Sequence, residues 1–167
     1  MDEIKPLLEI AYNYVDYFYL YIRDNPMLGV LLLVMFNKFY QSRKPFPSVG
    51  YGTVKEISSK PEFTELIASN QLSIVDYYAT WCPPCKSAVP MYAQLSVNYT
   101  NTNFYKVNVD LLREVSTSEE VSAMPTFKAY RDGKCVATTR GFDTGGIKKM
   151  IEENGGVFVA EGDKKSD

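Results

Sequence analysis

Residues 76–86 read Asp-Tyr-Tyr-Ala-Thr-Trp-Cys-Pro-Pro-Cys-Lys, and they lie where an apolar segment ends and a predicted helix begins. The segment before the motif, residues 72–79, is mostly apolar and rich in Ile, Val and Tyr. This composition is typical of a strand that is buried on both faces. We predict a helix over residues 84–98, and the two cysteines therefore lie at a strand-to-helix junction.

The chemistry of this junction depends on its two thiols. The thiol of Cys82 lies at the predicted helix N-terminus, where free N–H groups and the helix dipole favour a thiolate. A thiolate attacks a disulfide, and the thiol of Cys85 can then resolve the mixed disulfide. A zinc site is the alternative, but it needs two more ligands, and the chain offers only Cys135 and no histidine. The pattern favours thiol–disulfide exchange.

The composition limits the function in other ways. The chain has 167 residues, enough for one ordinary domain and an appendage. Its 18 basic and 20 acidic side chains give a net charge of −2, which argues against nucleic acid as a partner. Because histidine is absent, every catalytic triad or metal site that needs an imidazole is excluded. Three cysteines are too few for the disulfide framework of a small secreted domain.

Around the motif, strands and helices alternate. We predict strands over residues 54–57, 72–79, 104–109, 126–130 and 135–139, with helices that follow Ser58 or Ser59 and that cover 84–98, 111–120 and 147–153. Asp132-Gly133 is typical of a tight turn, so the last two strands should pair antiparallel. The predicted fold is α/β, with a mixed central sheet flanked by helices.

The composition also divides the chain into regions. We predict an aromatic, hydrophobic helical segment over residues 1–44, a linker over 45–50, a domain over 51–160 and a polar tail over 161–167.

The first region has features of a membrane segment. Apolar side chains recur at helical spacing over residues 5–22, five tyrosines lie in the same stretch, and residues 27–36 are apolar without a break. Ten apolar residues cover only about half of a ~30 Å hydrocarbon core. Three interpretations are open for residues 5–40: a short span eased by flanking tyrosines and lysines, an interfacial helix pair, or a soluble helical extension.

The charges around the apolar stretch predict its orientation. Lys38, Arg43 and Lys44 follow it, and basic residues tend to stay on the cytosolic side. We therefore expect a membrane-associated protein whose domain faces the cytosol, with a soluble cytosolic protein as the alternative. The acidic residues that precede the apolar stretch argue against a cleaved signal peptide.

At this point the sequence resembles the thioredoxin family, over about residues 51–157. The resemblance rests on five motifs: Trp81-Cys82-Pro83-Pro84-Cys85, Val75-Asp76-Tyr77, Lys106-Val107-Asn108-Val109-Asp110, Ala123-Met124-Pro125-Thr126 and Gly141. Most thioredoxins have glycine where this chain has Pro83, and the Trp-Cys-Pro-Pro-Cys version resembles that of some plant cytosolic thioredoxins. The resemblance implies a thioredoxin-like fold.

The resemblance also implies catalytic roles. Cys82 would be the nucleophile and Cys85 the more buried resolving thiol, joined to it in a redox-active disulfide. Asp76 would transfer a proton for Cys85, with Lys106 as its charge partner. An ionised carboxylate is costly to bury in an apolar strand, so the alternative is a partly exposed Asp76 without this role.

A groove for client peptides is implied as well, formed by Trp81, Pro83, Pro84, Met124, Pro125 and Gly141. Pro125 would be cis and would present the backbone of Met124 to an extended peptide, unless it is an ordinary turn proline. Trp81 would flank the groove, unless it packs in the core. Cys135 is expected to be a small buried hydrophobic residue, with a regulatory thiol as the alternative.

The expected function is therefore that of a membrane-tethered thioredoxin-type protein disulfide reductase. It would need no bound cofactor, since its electrons would come from NADPH through a thioredoxin reductase. Its partners would be disulfide-containing client proteins, the reductase and a membrane. A scaffold subunit of a membrane complex and a luminal oxidase or isomerase are the alternatives.

Overall fold

The computed structural model describes residues 5–47 and 52–159, and the chain divides into two compact units, Met1–Lys44 and Pro45–Asp167. The boundary coincides with the predicted start of the linker. Residues 48–50 of that linker and the predicted tail, 161–167, lie outside the described residues.

The first unit contains two helices, α1 (Lys5–Asp24) and α2 (Pro26–Arg43). Asn25 separates them, and its side-chain amide donates to the carbonyl oxygen of Tyr21 at 2.9 Å. Pro26 begins α2, where a proline is tolerated because the first N–H groups of a helix have no helical partner. The helical prediction for residues 5–22 is thus confirmed, with two further residues at its end.

Neither helix of this unit meets the length and hydropathy expected of a membrane span by itself. Residues Asn13–Asp24 and Pro26–Tyr40 meet those criteria only as a pair, and the pair is bent by 110° at its break. The structure therefore gives no support to a single straight span among the described residues.

The second unit is an α/β domain, and its elements follow the predicted order. They are β1 (Lys55–Glu56), α3 (Lys60–Ile67), β2 (Ser73–Tyr78), α4 (Pro83–Asn98), β3 (Asn103–Asn108), α5 (Arg113–Ser118), β4 (Thr126–Arg131), β5 (Lys134–Arg140) and α6 (Thr144–Glu153). The strands form one sheet in the order β1-β3-β2-β4-β5. β1, β3 and β2 are parallel, whereas β4 and β5 are antiparallel to their neighbours, so the predicted mixed sheet is confirmed.

Local sequence signals account for several element ends. Ser59 caps α3 by accepting a hydrogen bond from the backbone N–H of Glu62, and Pro61 lies in the first turn. Asp132 and Gly133 both have positive φ angles, 51° and 74°, which is why this dipeptide forms the β4–β5 turn. Strand β1 and helix α5 are shorter than the predicted 54–57 and 111–120.

Helices cover both faces of the sheet, and strand β2 is buried between them. On one face Ile74 packs with Ala88 and Tyr92 of α4 and with Ile151 of α6. On the other face, Val75 and Tyr77 pack with residues of α3 and α5. A third cluster lies at the carboxyl end of β2 and contains Tyr78, Ala79, Cys82 and Cys85. The cysteine motif therefore lies at one end of the core, directly after strand β2.

One core prediction is wrong. Cys135 is exposed, not buried. It lies on β5, an outer strand of the sheet, and the β4–β5 register shifts between Ala129 and Tyr130, next to the pair that Tyr130 forms with Cys135. Periodicity could not reveal this exposure, because it follows from the place of the strand in the sheet.

Candidate active site

The cysteine pair forms a disulfide at the beginning of α4, with an S–S distance of 2.18 Å. Cys82 is the N-cap of the helix, and its sulfur accepts a hydrogen bond from the backbone N–H of Cys85 at 3.3 Å. Cys82 is 4% exposed and Cys85 is fully buried. The same N–H group and the helix dipole would stabilise a thiolate at Cys82 once the disulfide is reduced.

A loop between α5 and β4 lies beside the pair. Its Met124–Pro125 peptide bond is cis, as predicted. The carbonyl oxygen of Met124 lies 3.7 Å from the sulfur of Cys82, within reach of a reduced thiol. Gly141 donates its N–H to the carbonyl oxygen of Pro125 at 2.7 Å and has a φ of +81°, which glycine adopts without strain. These contacts fasten the loop next to the disulfide.

Three of the six predicted groove residues are exposed, whereas Met124 and Gly141 are half-buried and Pro125 is buried. Pro83 and Pro84 are exposed at the start of α4, next to the disulfide. Trp81 is 56% exposed, so it is not an ordinary core residue. Its indole N–H donates to Asp110 Oδ2 at 2.8 Å. Trp81 therefore lies where an incoming polypeptide can contact it, and its role in client binding stays a prediction.

Asp76 lies on β2 on the face that α4 covers, because side chains alternate along a strand and Ile74 packs against α4. The residue is 4% exposed, and its Oδ1 has no hydrogen-bond partner. Burial raises the pKa of this carboxyl group to about 8, while the positive charge of Lys106 works in the opposite direction. The alternative of a partly exposed Asp76 is therefore wrong. A carboxyl group with this pKa can both accept and release a proton near neutral pH.

Lys106 interacts electrostatically with Asp76, whose charge partner it was expected to be, but it also has another acidic neighbour. Lys106 and Asp76 are register partners on β3 and β2. Lys106 also forms an ion pair with Glu56, at 3.0 Å. Lys106 thus acts on Asp76 through space and has a second acidic neighbour that sequence reasoning did not identify.

Three other residues near the site were also missed. The hydroxyl of Tyr78 donates to Glu56 Oε1 at 2.7 Å, and the ring of Phe46 lies 4.8 Å from the ring of Tyr78. Asp110 holds the indole of Trp81. Only Asp110 had a signal in the sequence, since it ends the Lys106–Asp110 motif. Tyr78 and Phe46 had no such signal. Strand pairing brings Tyr78 close to Glu56, and the path of the chain before β1 brings Phe46 against Tyr78.

This arrangement is suited to two-electron exchange with a disulfide. It combines the buried sulfur of Cys85, the sulfur of Cys82 at a helix N-terminus and the buried carboxyl group of Asp76, which titrates near neutral pH. Within residues 5–47 and 52–159, no group of three or more Cys, Asp or Glu side chains is placed to hold a metal ion. The zinc alternative therefore has no support among those residues.

Comparison with known proteins agrees with the fold. A family model described as Thioredoxin matches residues 54–153. The chain is 43% identical over 100 residues to thioredoxin 1 of Plasmodium falciparum, a match that covers 60% of this chain and 96% of the relative. It is 43% identical over 101 residues to thioredoxin-1 of Saccharomyces cerevisiae, covering 60% of this chain and 98% of the relative.

Solved structures show the same similarity. Thioredoxin of P. falciparum superimposes with a TM-score of 0.58 at 42% identity, over 59% of this chain and 97% of the other. Thioredoxin NaTrxh of Nicotiana alata superimposes with a TM-score of 0.61 at 32% identity, over 64% of this chain and 96% of the other. These matches leave the first unit of the chain without a counterpart in the family model, which begins at residue 54.

Proposed function

Because the chain belongs to the thioredoxin family, whose members are protein disulfide oxidoreductases, we propose that it reduces client disulfides through Cys82 and Cys85 while tethered to a membrane. Like its family, it acts on disulfide-containing proteins, needs no bound cofactor and is reduced by a thioredoxin reductase. The observation that carries the proposed assignment of the two thiols is the Cys82–Cys85 disulfide at the N-terminus of α4.

The proposed reaction transfers two electrons to the client. The Cys82 thiolate attacks one sulfur of the client disulfide, forms a mixed disulfide and releases the other client sulfur as a thiolate. The thiol of Cys85 gives its proton to Asp76, and the resulting thiolate attacks the sulfur of Cys82. This step closes the Cys82–Cys85 disulfide and releases the second client thiolate. Protonation of both client thiolates completes the reduction.

The Cys85→Ser variant tests this order of events. We expect it to accumulate a covalent mixed disulfide with a reducible client, because Cys82 still attacks and no thiol at position 85 resolves the product. The measurement is the intact mass of the product formed with oxidised insulin under non-reducing conditions, in a Cys135→Ser background. In that background, a Cys82→Ser/Cys85→Ser chain should trap nothing. Equal trapping by this control, or no trapping by Cys85→Ser, would contradict the assignment.

The membrane part of the proposal is supported by the surface of α2. Apolar side chains are exposed along its length, including Met27 at 80% and Leu33 at 69%, and the tyrosines within residues 14–21 of α1 are exposed as well. Lys38, Arg43 and Lys44 lie at the carboxyl end of this apolar stretch. Exposed apolar surface of this extent favours contact with lipid, and the basic residues favour the cytosolic leaflet. We accordingly propose a cytosol-facing thioredoxin domain.

Vesicle flotation tests the tether. The full chain should float with vesicles of phosphatidylcholine and phosphatidylserine, and Leu32→Asp/Leu33→Asp should reduce the bound fraction by at least about tenfold because two charges enter the apolar surface. Val136→Asp, on exposed strand β5, is the matched control and should bind like the parent chain. Equal binding by the double variant, or no binding by the parent chain, would argue against the tether.

The orientation can be measured on Cys135, because this thiol is exposed. In cells, a membrane-impermeant maleimide should label it once the plasma membrane alone is permeabilised. Labelling that requires the internal membranes to be opened would place the domain in a lumen.

A further inference from the structure

A row of side chains with alternating charge crosses the sheet next to the active site. Glu56 on β1 is the register partner of Lys106 on β3, and Lys106 is the register partner of Asp76 on β2. Register partners in a parallel sheet project to the same face. The single ammonium group of Lys106 therefore lies between two carboxyl groups, one at the edge of the sheet and one in its interior.

The contacts of Lys106 favour the outer carboxylate. Its Nζ lies 3.0 Å from Glu56 Oε2, and the other oxygen of Glu56 accepts the hydroxyl of Tyr78 at 2.7 Å. Burial alone would raise the pKa of Glu56, but the hydrogen bonds from Tyr78 and Lys106 outweigh burial and lower it. Glu56 is thus a carboxylate at neutral pH, held in place by two donors.

Aromatic rings shield the Lys106 side of this pair from water, whereas the Glu56 side chain is 42% exposed. The side chain of Lys106 is only 11% exposed. Its Nζ lies 5.2 Å from the ring centre of Tyr78 and 6.0 Å from that of Phe46, and the two rings contact each other. Electrostatic interactions are stronger where water is excluded. The position of the Lys106 ammonium group therefore has large effects on the ionisation of the carboxyl groups next to it.

The carboxyl group in the interior of the sheet, that of Asp76, lacks a hydrogen-bond partner for one of its oxygens. Asp76 is buried and its Oδ1 accepts no hydrogen bond. Among the described residues, the ionisable groups that interact with Asp76 are Lys106 from β3 and Tyr92 from α4, with Glu56 beyond Lys106; its register partner on β4, Phe127, cannot ionise. Tyr92 stays neutral, because burial raises its pKa well above 10. Lys106 is therefore the positive charge that can stabilise an ionised Asp76.

We propose that Glu56 is a positioning residue that holds the Lys106 ammonium group at the edge of the sheet and so limits the stabilisation that this charge gives to ionised Asp76. The proposal rests on the proposed function only where it concerns catalysis, through the role of Asp76 in proton transfer to and from Cys85. In that role, Glu56 keeps Asp76 a base strong enough to accept the thiol proton, because an Asp76 fully neutralised by Lys106 would be a weaker base.

The Glu56→Gln variant tests the proposal directly. Glutamine keeps the shape and can still accept from Tyr78, but it no longer competes for the ammonium group. In the full chain with the Cys82–Cys85 disulfide closed, we expect the titration midpoint of Asp76 to fall by about one pH unit. The measurement is the ¹³C carboxyl shift of selectively labelled aspartate as a function of pH, with the Asp76 signal assigned by its loss in Asp76→Asn.

Two further variants make the test specific. Glu114→Gln removes an exposed carboxylate that pairs with Lys60 at 3.7 Å, and it should leave the Asp76 midpoint unchanged. In a Lys106→Met background, Glu56→Gln should shift the midpoint by less than half as much, because the effect passes mainly through Lys106. A Glu56→Gln midpoint equal to that of the parent chain, or a full shift without Lys106, would overturn the proposal.

Turnover measured on the same variants separates this inference from the proposed function. If Asp76 transfers the proton, one limb of the pH–rate profile reports its ionisation. In Glu56→Gln, this limb should move to lower pH by the same amount as the titration midpoint of Asp76. If the titration moves and the profile does not, the role of Asp76 in turnover is refuted while the positioning role of Glu56 stands. If the titration does not move, the positioning role is refuted whatever the profile does.

Discussion

Replacing Cys82 by serine is expected to lower disulfide-reducing turnover by at least about a thousandfold. The chemical step needs a thiolate, and a serine hydroxyl does not ionise near neutral pH, even at a helix N-terminus. Cys85 does not substitute for the lost nucleophile, because it is fully buried whereas Cys82 is 4% exposed next to Met124. The measurement is insulin reduction by the full chain with NADPH and a thioredoxin reductase.

The third cysteine provides the matched control. Cys135→Ser removes an exposed thiol on β5, remote in sequence from the motif, and should retain the turnover of the parent chain. Far-UV circular dichroism of both variants establishes that each one is folded. Turnover by Cys82→Ser within tenfold of the parent chain, or a comparable loss in Cys135→Ser, would refute the assignment of the nucleophile.

Replacing Asp76 by asparagine should stabilise the domain at alkaline pH by roughly 2–5 kcal/mol. Burial raises the pKa of Asp76 to about 8 from 3.8, so between these values the folded chain keeps a proton that the unfolded chain has released. Stability from this group is therefore present at acid pH and is lost as pH rises towards 8. Asparagine cannot ionise, so the variant avoids this loss.

The pH dependence distinguishes this effect from ordinary repacking. The free energy of unfolding in urea should be similar for Asp76→Asn and the parent chain near pH 4, and should diverge steadily up to about pH 8. Asp132→Asn, in the exposed β4–β5 turn, makes the same chemical change without burial and should show no such divergence. A constant difference between the two curves at all pH values would mean that Asp76 does not titrate as its burial implies.

Local patterns identified most of the second unit correctly. A short apolar run determines a strand, a serine determines a helix start, and Asp132-Gly133 determines a turn, because each depends on neighbours along the chain. The cysteine motif could be recognised from the sequence for the same reason, since its thiols lie within one helical turn. Asp76 was recognised as unusual because a carboxyl group in an apolar strand is costly to bury.

Contacts between segments that are far apart in the chain were harder to predict from the sequence. Sequence reasoning paired Lys106 with Asp76 and missed Glu56, which lies 50 positions away from Lys106 and meets it only through the register of β1 and β3. The exposure of Cys135 depends likewise on the place of β5 at the edge of the sheet. The apolar run of residues 27–36 was apparent, whereas the 110° bend at the break before it was not.

By itself, then, the sequence determined the α/β class, the redox motif with Cys82 at a helix N-terminus, and the family resemblance. These depend on spacing over a few residues, where covalent connection already brings the groups together. Only the tertiary structure decided which carboxylate pairs with Lys106, that Asp76 is buried, and that Cys135 faces solvent. Burial and charge pairing are properties of the packed sheet, because strand order and register set the distances between groups that are far apart in the chain.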